Sequence, residues 1–403
     1  MTTALEDRPP APARSRARRY GPRVAVAFAL VVALTTAAAW AGTAILNIPG
    51  PLTLYRLETA PPSQQGVLFA SRTAAASGTP RPLPVRTSEL PGTVPWKQDR
   101  IPVGQFLDTT KTNAFVVVRD GAVAYEWYRD GVDATTRLSS WSLAKSLVSL
   151  LVGRAIDAGK LRESDRLGDL LPELRTGTDY DSVTVGQLLD MTSGVDVGEN
   201  YNKYLPLSGT ARMYLTEDLP GFLRDHRGLR FTPGSTAEYR SVDTQLLGQI
   251  MARVEGKPLT ELFERDIWGP MGAQDSALWN LDHDGGQEKA FCCFNATARD
   301  YAKIGQLVLD GGRAGGAQII PPAWITRIGN PAPHQVDGWG YSAQWWHPVG
   351  GDGADLSAVG VYGQYIYVDP PSHTVIVKLS DYGTGQDELD TIAVFRDLAR
   401  AGR

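Results

Sequence analysis

The chain is short of the residues that build several kinds of active centre. It has two cysteines in 403 residues, and they are neighbours, Cys292-Cys293. Adjacent cysteines are poorly placed to bridge each other in ordinary backbone geometry, so no disulfide scaffold is expected. Cys-x-x-Cys spacing for a metal is missing too. The five histidines, His226, His283, His334, His347 and His373, show no metal-ligand spacing, and no metal or other cofactor is expected. His347 beside Trp346 reads as an exposed loop histidine. No Gly-x-Ser-x-Gly elbow occurs, which disfavours a Ser-His-Asp hydrolase. A net charge of -4 leaves no basic footprint for nucleic acid. No repeat period is visible.

Charge is also missing from one long stretch. Between Val24 and Tyr55 there is no charged residue, and residues 24–48 are almost wholly apolar. As a helix that segment would be roughly 37 Å long, enough for a hydrocarbon core of about 30 Å. Arg14, Arg16, Arg18, Arg19 and Arg23 crowd its N-terminal side, while only Arg56 is near on the other. The positive-inside rule then predicts a cytoplasmic basic tail over residues 1–23, a membrane anchor over 24–48, and the bulk of the chain outside the cytoplasm. Cleavage as a signal peptide at Ala37-Ala38-Ala39 is the alternative and would give a secreted protein. Residues 49–95 carry nine prolines among Ser, Thr and Gly; this composition predicts an extended linker. Residues 96–403 remain as one large domain.

Within that domain, residues 113–118 and 122–128 are β-rich runs joined by Asp120-Gly121, a hairpin signal. A second pair, residues 363–368 and 374–379, surrounds Asp369-Pro370-Pro371 near the other end. Residues 386–401 close the chain at helical spacing. Strands at both ends with helices between predict an α+β architecture: one antiparallel sheet assembled from both termini, flanked by helices, and a mainly helical region over roughly 140–330. Thr184 is a candidate N-cap for a helix over residues 185–191.

The chemistry centres on Ser142-Leu143-Ala144-Lys145. The apolar residues Leu143, Leu147, Leu150, Leu151 and Ile156 recur near helical spacing, and Gly159 reads as the stop. On a helix, residues three apart share one face, with Cβ atoms about 5–6 Å apart. A lysine then stands beside a serine, which is a poor nucleophile unless a neighbour accepts its proton or favours its alkoxide.

Further along come Leu188-Leu189-Asp190-Met191-Thr192-Ser193-Gly194, then Phe231-Thr232-Pro233-Gly234 leading to Tyr239-Arg240-Ser241, then Ala358-Val359-Gly360-Val361-Tyr362-Gly363-Gln364. In this order the motifs resemble the serine β-lactamase and penicillin-binding-protein superfamily, in the class C branch. That branch includes esterases, D-aminopeptidases and hydrolases of the 6-aminohexanoate-dimer type, to which the likeness is greatest. Residues 295–301 and Trp339-Gly340-Tyr341 with Trp345-Trp346 extend it over about residues 100–400.

The resemblance implies a β-lactamase/transpeptidase-like fold and an acyl-enzyme mechanism. It implies Ser142 as nucleophile, Lys145 as the adjacent cation and Tyr239 as general base, its phenolate favoured by the ammonium. The backbone N–H groups of Ser142 and Val361 are the implied oxyanion hole. Ser241, Gly360, Tyr362, Trp345 and Trp346 are the expected substrate pocket.

Two departures bear on substrate. The family's Tyr-x-Asn is Tyr239-Arg240-Ser241 here, with Asp243 as a substitute or a helix cap, and its Lys-Thr-Gly is Ala358-Val359-Gly360. No cation remains at that position to pair a substrate carboxylate. The expected activity is therefore hydrolysis of a small-molecule ester or amide. A peptidoglycan D-Ala carboxypeptidase or β-lactamase, and an inactive cell-wall-binding module of the same fold, are the competing readings. No nucleic-acid partner is expected, and the membrane is reached through the N-terminal helix.

Overall fold

A computed structural model of the chain describes residues 17–199 and 208–401. It divides into two units, Met1–Tyr55 and Arg56–Arg403. In the first, helix α1 (Ala17–Ile45) contains a 23-residue stretch, Arg23–Ile45, long and apolar enough to cross a membrane. None of that apolar stretch is buried, and Phe28 is 71% exposed. The core helix of a soluble protein would cover such a surface. Residues 1–16 of the expected basic tail lie outside the described residues.

The second unit is organised by a seven-stranded antiparallel sheet made of β1 (Thr112–Arg119), β2 (Ala122–Tyr128), β3 (Gly340–Ser342), β4 (Trp345–His347), β5 (Leu356–Gly360), β6 (Gln364–Asp369) and β7 (Thr374–Ser380). Their spatial order is β3-β4-β5-β6-β7-β1-β2. The two ends of the domain meet at the β7–β1 pair, where Val377 faces Val116 and Val375 faces Val118. The β1–β2 hairpin closes through Asp120 (φ 46°) and Gly121 (φ 74°), the two left-handed residues that a type I′ turn requires.

Both faces of the sheet are covered, and the strand period of two decides what covers each. Val116 and Val118 join the main core with helices α2 (Leu143–Asp157), α3 (Ser241–Glu255) and α4 (Ala298–Leu309). Phe115 and Val117 point the other way, to Ile392, Phe395 and Leu398 of helix α5 (Glu388–Arg400). This double burial is why residues 113–118 read as a continuous apolar run rather than an alternation.

A smaller four-stranded sheet takes two of its strands from the region expected to be mainly helical. Leu138–Ser139 pairs with Phe294–Ala296, which pairs with Ala277–Asn280, which pairs with Ser71–Ala74. These strands are two to four residues long, too short for an alternation to be read. Thr184 caps a short helix, Val185–Leu189, in a full capping box with Gln187.

Three expectations are corrected. Much of residues 49–95 packs on the domain instead of forming a free linker. Ser71–Ala74 joins the small sheet, and residues 84–88 run along the edge of β2: the Arg86 and Ser88 N–H groups donate to Val123 and Ala124 carbonyls at 2.9 and 2.8 Å. Prolines suit such edges, since they need not donate to a ladder. Cys292 and Cys293 form a vicinal disulfide; Cys293 is left-handed (φ 73°), outside the backbone geometry assumed for neighbouring cysteines. His347 is buried in β4, its Nε2 3.0 Å from the Ile328 carbonyl oxygen.

Candidate active site

The chain enters α2 from the small sheet through a strained corner. Trp141 is left-handed (φ 46°), and Ser142 follows in the N-cap position of α2 without using its side chain as a cap. The hydroxyl is thus left for other partners. Lys145 Nζ donates to Ser142 Oγ at 2.8 Å and to the Phe291 carbonyl at 3.0 Å. One helical turn supplies the first contact. The second comes from the segment just before the disulfide, held by Ser140 N–H donating to the Phe294 carbonyl at 2.7 Å.

Tyr239 reaches the same point from the residues before α3. The Lys145 ammonium lies 4.9 Å from the centre of its ring, and Tyr239 lines the same cavity as Ser142. Structure therefore unites Ser142, Lys145 and Tyr239, residues almost a hundred positions apart in sequence.

Burial governs their protonation. Lys145 is 1% exposed. Desolvation lowers its pKa to about 8, against the opposing pull of Glu199 and Asp243. Desolvation also pushes the Tyr239 phenol above its ordinary value, and the Glu199 carboxylate adds to the rise. Burial therefore works against the tyrosinate–ammonium pair expected from sequence, favouring the neutral form of each group. Asp243 neither caps α3 nor stands free: it is fully buried, its Oδ1 accepts from Ser193 Oγ at 2.5 Å, and burial raises its pKa to about 8. That bond also gives a place to Ser193 of the Thr192-Ser193-Gly194 motif.

Strand β5 ends against Ser142. A Cβ on Gly360 would lie 2.7 Å from the Ser140 carbonyl oxygen and 3.1 Å from the Ser142 nitrogen. Only glycine permits that approach, which brings the peptide leading into Val361 beside Ser142. Trp141 and Tyr362 meet edge to face, with centroids 4.8 Å apart, so the turns carrying the two candidate oxyanion donors touch each other.

Ser142, Tyr239, Val361 and Trp346 line one cavity of about 300 Å³. Of the five pocket residues expected from sequence, Trp346 lines it. Trp345 is its neighbour on β4 and so faces the opposite side, buried in the main core. The left-handed turn swings the Tyr362 ring onto Trp141. Ser241 is held by Glu199, with its hydroxyl donating to Oε2 at 3.1 Å and its N–H to Oε1. Gly360 acts behind the cavity through its backbone.

Sequence reasoning missed the cavity's charge. Glu199, Glu238, Asp337 and Glu388 line it, and among the described residues no lysine or arginine does. Glu238 pairs with the buried Arg240 at 2.7 Å and with Arg230 at 3.5 Å. The four acids come from four separate segments, so no spacing in the sequence connects them. The Phe291 contact is equally hidden, being a main-chain carbonyl.

Comparison with known proteins agrees with this architecture. The β-lactamase family model matches residues 105–400. A 6-aminohexanoate-dimer hydrolase of Paenarthrobacter ureafaciens is 31% identical over 299 residues, 69% of this chain and 74% of that protein. A solved structure from Bacillus anthracis, named as a candidate 6-aminohexanoate-dimer hydrolase, superposes with a TM-score of 0.75 at 24% identity and covers 87% of this chain and 94% of its own. A family VIII carboxylesterase superposes with a TM-score of 0.59 at 18% identity over 73% of this chain and 95% of its own. These structural likenesses carry the fold, and the sequence matches carry the kinship. Because the family match spans residues 105–400, well over half of the chain, the chain belongs to the β-lactamase family of serine hydrolases.

Proposed function

We propose that this protein hydrolyses esters or small amides through an acyl-enzyme on Ser142. The observation that carries the reading is the 2.8 Å hydrogen bond between a buried Lys145 and the uncommitted Ser142 hydroxyl inside a cavity. In this mechanism Ser142 Oγ attacks the substrate carbonyl carbon while its proton passes to the neutral Lys145 amine. The Ser142 and Val361 N–H groups stabilise the oxyanion, an effect worth roughly 3–4 kcal/mol for one donor. The leaving group departs with a proton from the Tyr239 hydroxyl, which Lys145 replenishes. Water then cleaves the acyl-enzyme by the reverse sequence and restores Ser142.

The cavity's charge supports a narrower substrate class. Glu199, Asp337 and Glu388 would repel a carboxylate-bearing acyl group and attract a cationic one. A charge roughly 7 Å from each would feel about 0.6 kcal/mol per pair even at the dielectric of water. The Paenarthrobacter relative is named for an amide dimer of an ω-amino acid, whose acyl half ends in an ammonium. Carboxypeptidase and β-lactamase chemistry would need a carboxylate anchor that this wall lacks. We further propose that α1 anchors the protein, with the catalytic unit outside the cytoplasm, as the arginines on its N-terminal flank suggest.

Four outcomes are expected. A fluorophosphonate should label the protein once, and Ser142→Ala should abolish labelling; undiminished labelling of the variant would remove Ser142 as nucleophile. On a neutral ester, kcat/KM should rise about tenfold per pH unit below 8 and level off above, as Lys145 loses the proton that keeps it from acting as a base. A profile flat from pH 6 to 9, or falling with pH, would contradict that role. Nitrophenyl esters with an ω-ammonium acyl chain should have a kcat/KM at least about tenfold above ω-carboxylate esters of equal length, with the gap shrinking in high salt. Faster turnover of the anionic ester would refute the selectivity. Protease added to intact cells should remove the catalytic unit while the N-terminal tail stays protected; a soluble form beginning near Ala39 would show cleavage instead.

A further inference from the structure

The turn from β5 to β6 is held by more buried polar contacts than three connecting residues need. Val361, Tyr362 and Gly363 make the connection, with Gly360 opposite Gln364 in the strand register. Tyr362 (φ 70°) and Gly363 (φ 86°) are both left-handed, a conformation unfavourable for tyrosine. The surroundings must impose it.

Gln364, 1% exposed, is the centre of that support. Its Nε2 donates to the Ser380 carbonyl at 2.7 Å and to the Val361 carbonyl at 3.3 Å, while its Oε1 accepts from the Ser380 N–H at 3.0 Å. By the β6–β7 register Ser380 falls opposite Gly363, and a Cβ on Gly363 would lie 3.2 Å from the Ser380 Cβ. The Gln364 carboxamide thus takes the place of the next main-chain rung. Freed from the ladder, the Gly363 N–H donates to Gln386 Oε1 at 2.6 Å, and the Tyr362 carbonyl accepts from the Tyr382 N–H at 3.0 Å. Beneath them the fully buried Lys378 donates to Ser380 Oγ at 2.5 Å. Of the residues in these contacts, Val361 and Gln386 line the substrate cavity, whereas Gln364, Ser380, Tyr382 and Lys378 do not.

We propose that Gln364 is a positioning residue for the oxyanion site, its carboxamide fixing the Val361 residue by tying the Val361 carbonyl to Ser380 on β7. The proposal rests on the reading of the Val361 N–H as an oxyanion donor. Gln364 does not line the cavity, so it acts through Val361 and not on substrate. An unsupported turn would let the donor drift from the point where negative charge develops, and small misplacements of that kind cost rate rather than binding.

The test compares an ester with its thionoester, whose carbonyl sulfur accepts hydrogen bonds poorly and so exploits an oxyanion hole less. Gln364→Met should lower kcat on the ester by about 10- to 100-fold with KM within about twofold. The ester-to-thionoester ratio of kcat should fall by at least about fivefold. Gln364→Asn, one methylene too short to bridge both carbonyls, should move both quantities the same way and decides the matter if the methionine variant does not fold. Ile376→Val, a buried change on β7 away from the turn, controls for stability and should keep the wild-type ratio. An unchanged ratio in a folded Gln364 variant, or an equal collapse in Ile376→Val, overturns the proposal alone. A wild-type enzyme that turns over both substrates alike overturns the oxyanion reading and the proposal with it.

Discussion

Lys145 is taken out of water, and the rest of the site follows from where that leaves its charge. A buried ammonium is costly unless it is paired or neutral. Here the fold supplies a carbonyl, a serine hydroxyl and an aromatic ring, with Glu199 and Asp243 near enough to favour the charge and too weakly placed to cancel the cost of burial. The balance falls at about pH 8, close to where a proton acceptor works best near neutral pH. Three pieces of chain must coincide to produce it: the first turn of α2, the residues before α3, and the loop ending at Phe291. The small sheet, minor by size, matters because it holds the last of these against the first.

Around that centre, polar groups are arranged by exclusion. Gly360 excludes a side chain where β5 meets Ser140 and Ser142, which allows the backbones to touch. Buried Asp243 and the Tyr239 phenol are pushed toward their neutral forms, while the carboxylates with access to water gather around the cavity. Burial thus brings the buried acid and the buried base to similar pKa values, each about 8, and the negative field of the carboxylates lining the cavity is left for the substrate to meet.

The elements legible from sequence were those with long or locally complete signals. The β1–β2 hairpin had two left-handed residues written in Asp120-Gly121, α2 had an apolar period with a glycine stop, and Thr184 had its capping partner three residues on. Meeting of the terminal strands was legible because both ends carried β-rich runs. What escaped was short or non-local. Ser71–Ala74 lay in a proline-rich stretch, and its sheet position depends on partners some two hundred residues away. The pocket residues were chosen as neighbours of motifs, but adjacency on a strand means opposite faces, as Trp345 and Trp346 demonstrate.

By itself the sequence determined the order of motifs, the residues able to do acyl-transfer chemistry, and the missing cation at Ala358, since these depend on residue type and local spacing. Only the tertiary structure decided the protonation of Lys145 and Tyr239, the acidic wall of the cavity, and the support behind Val361. Desolvation, through-space charge and main-chain hydrogen bonds are properties of what the folded chain brings together, and residues far apart in sequence carry no local record of them.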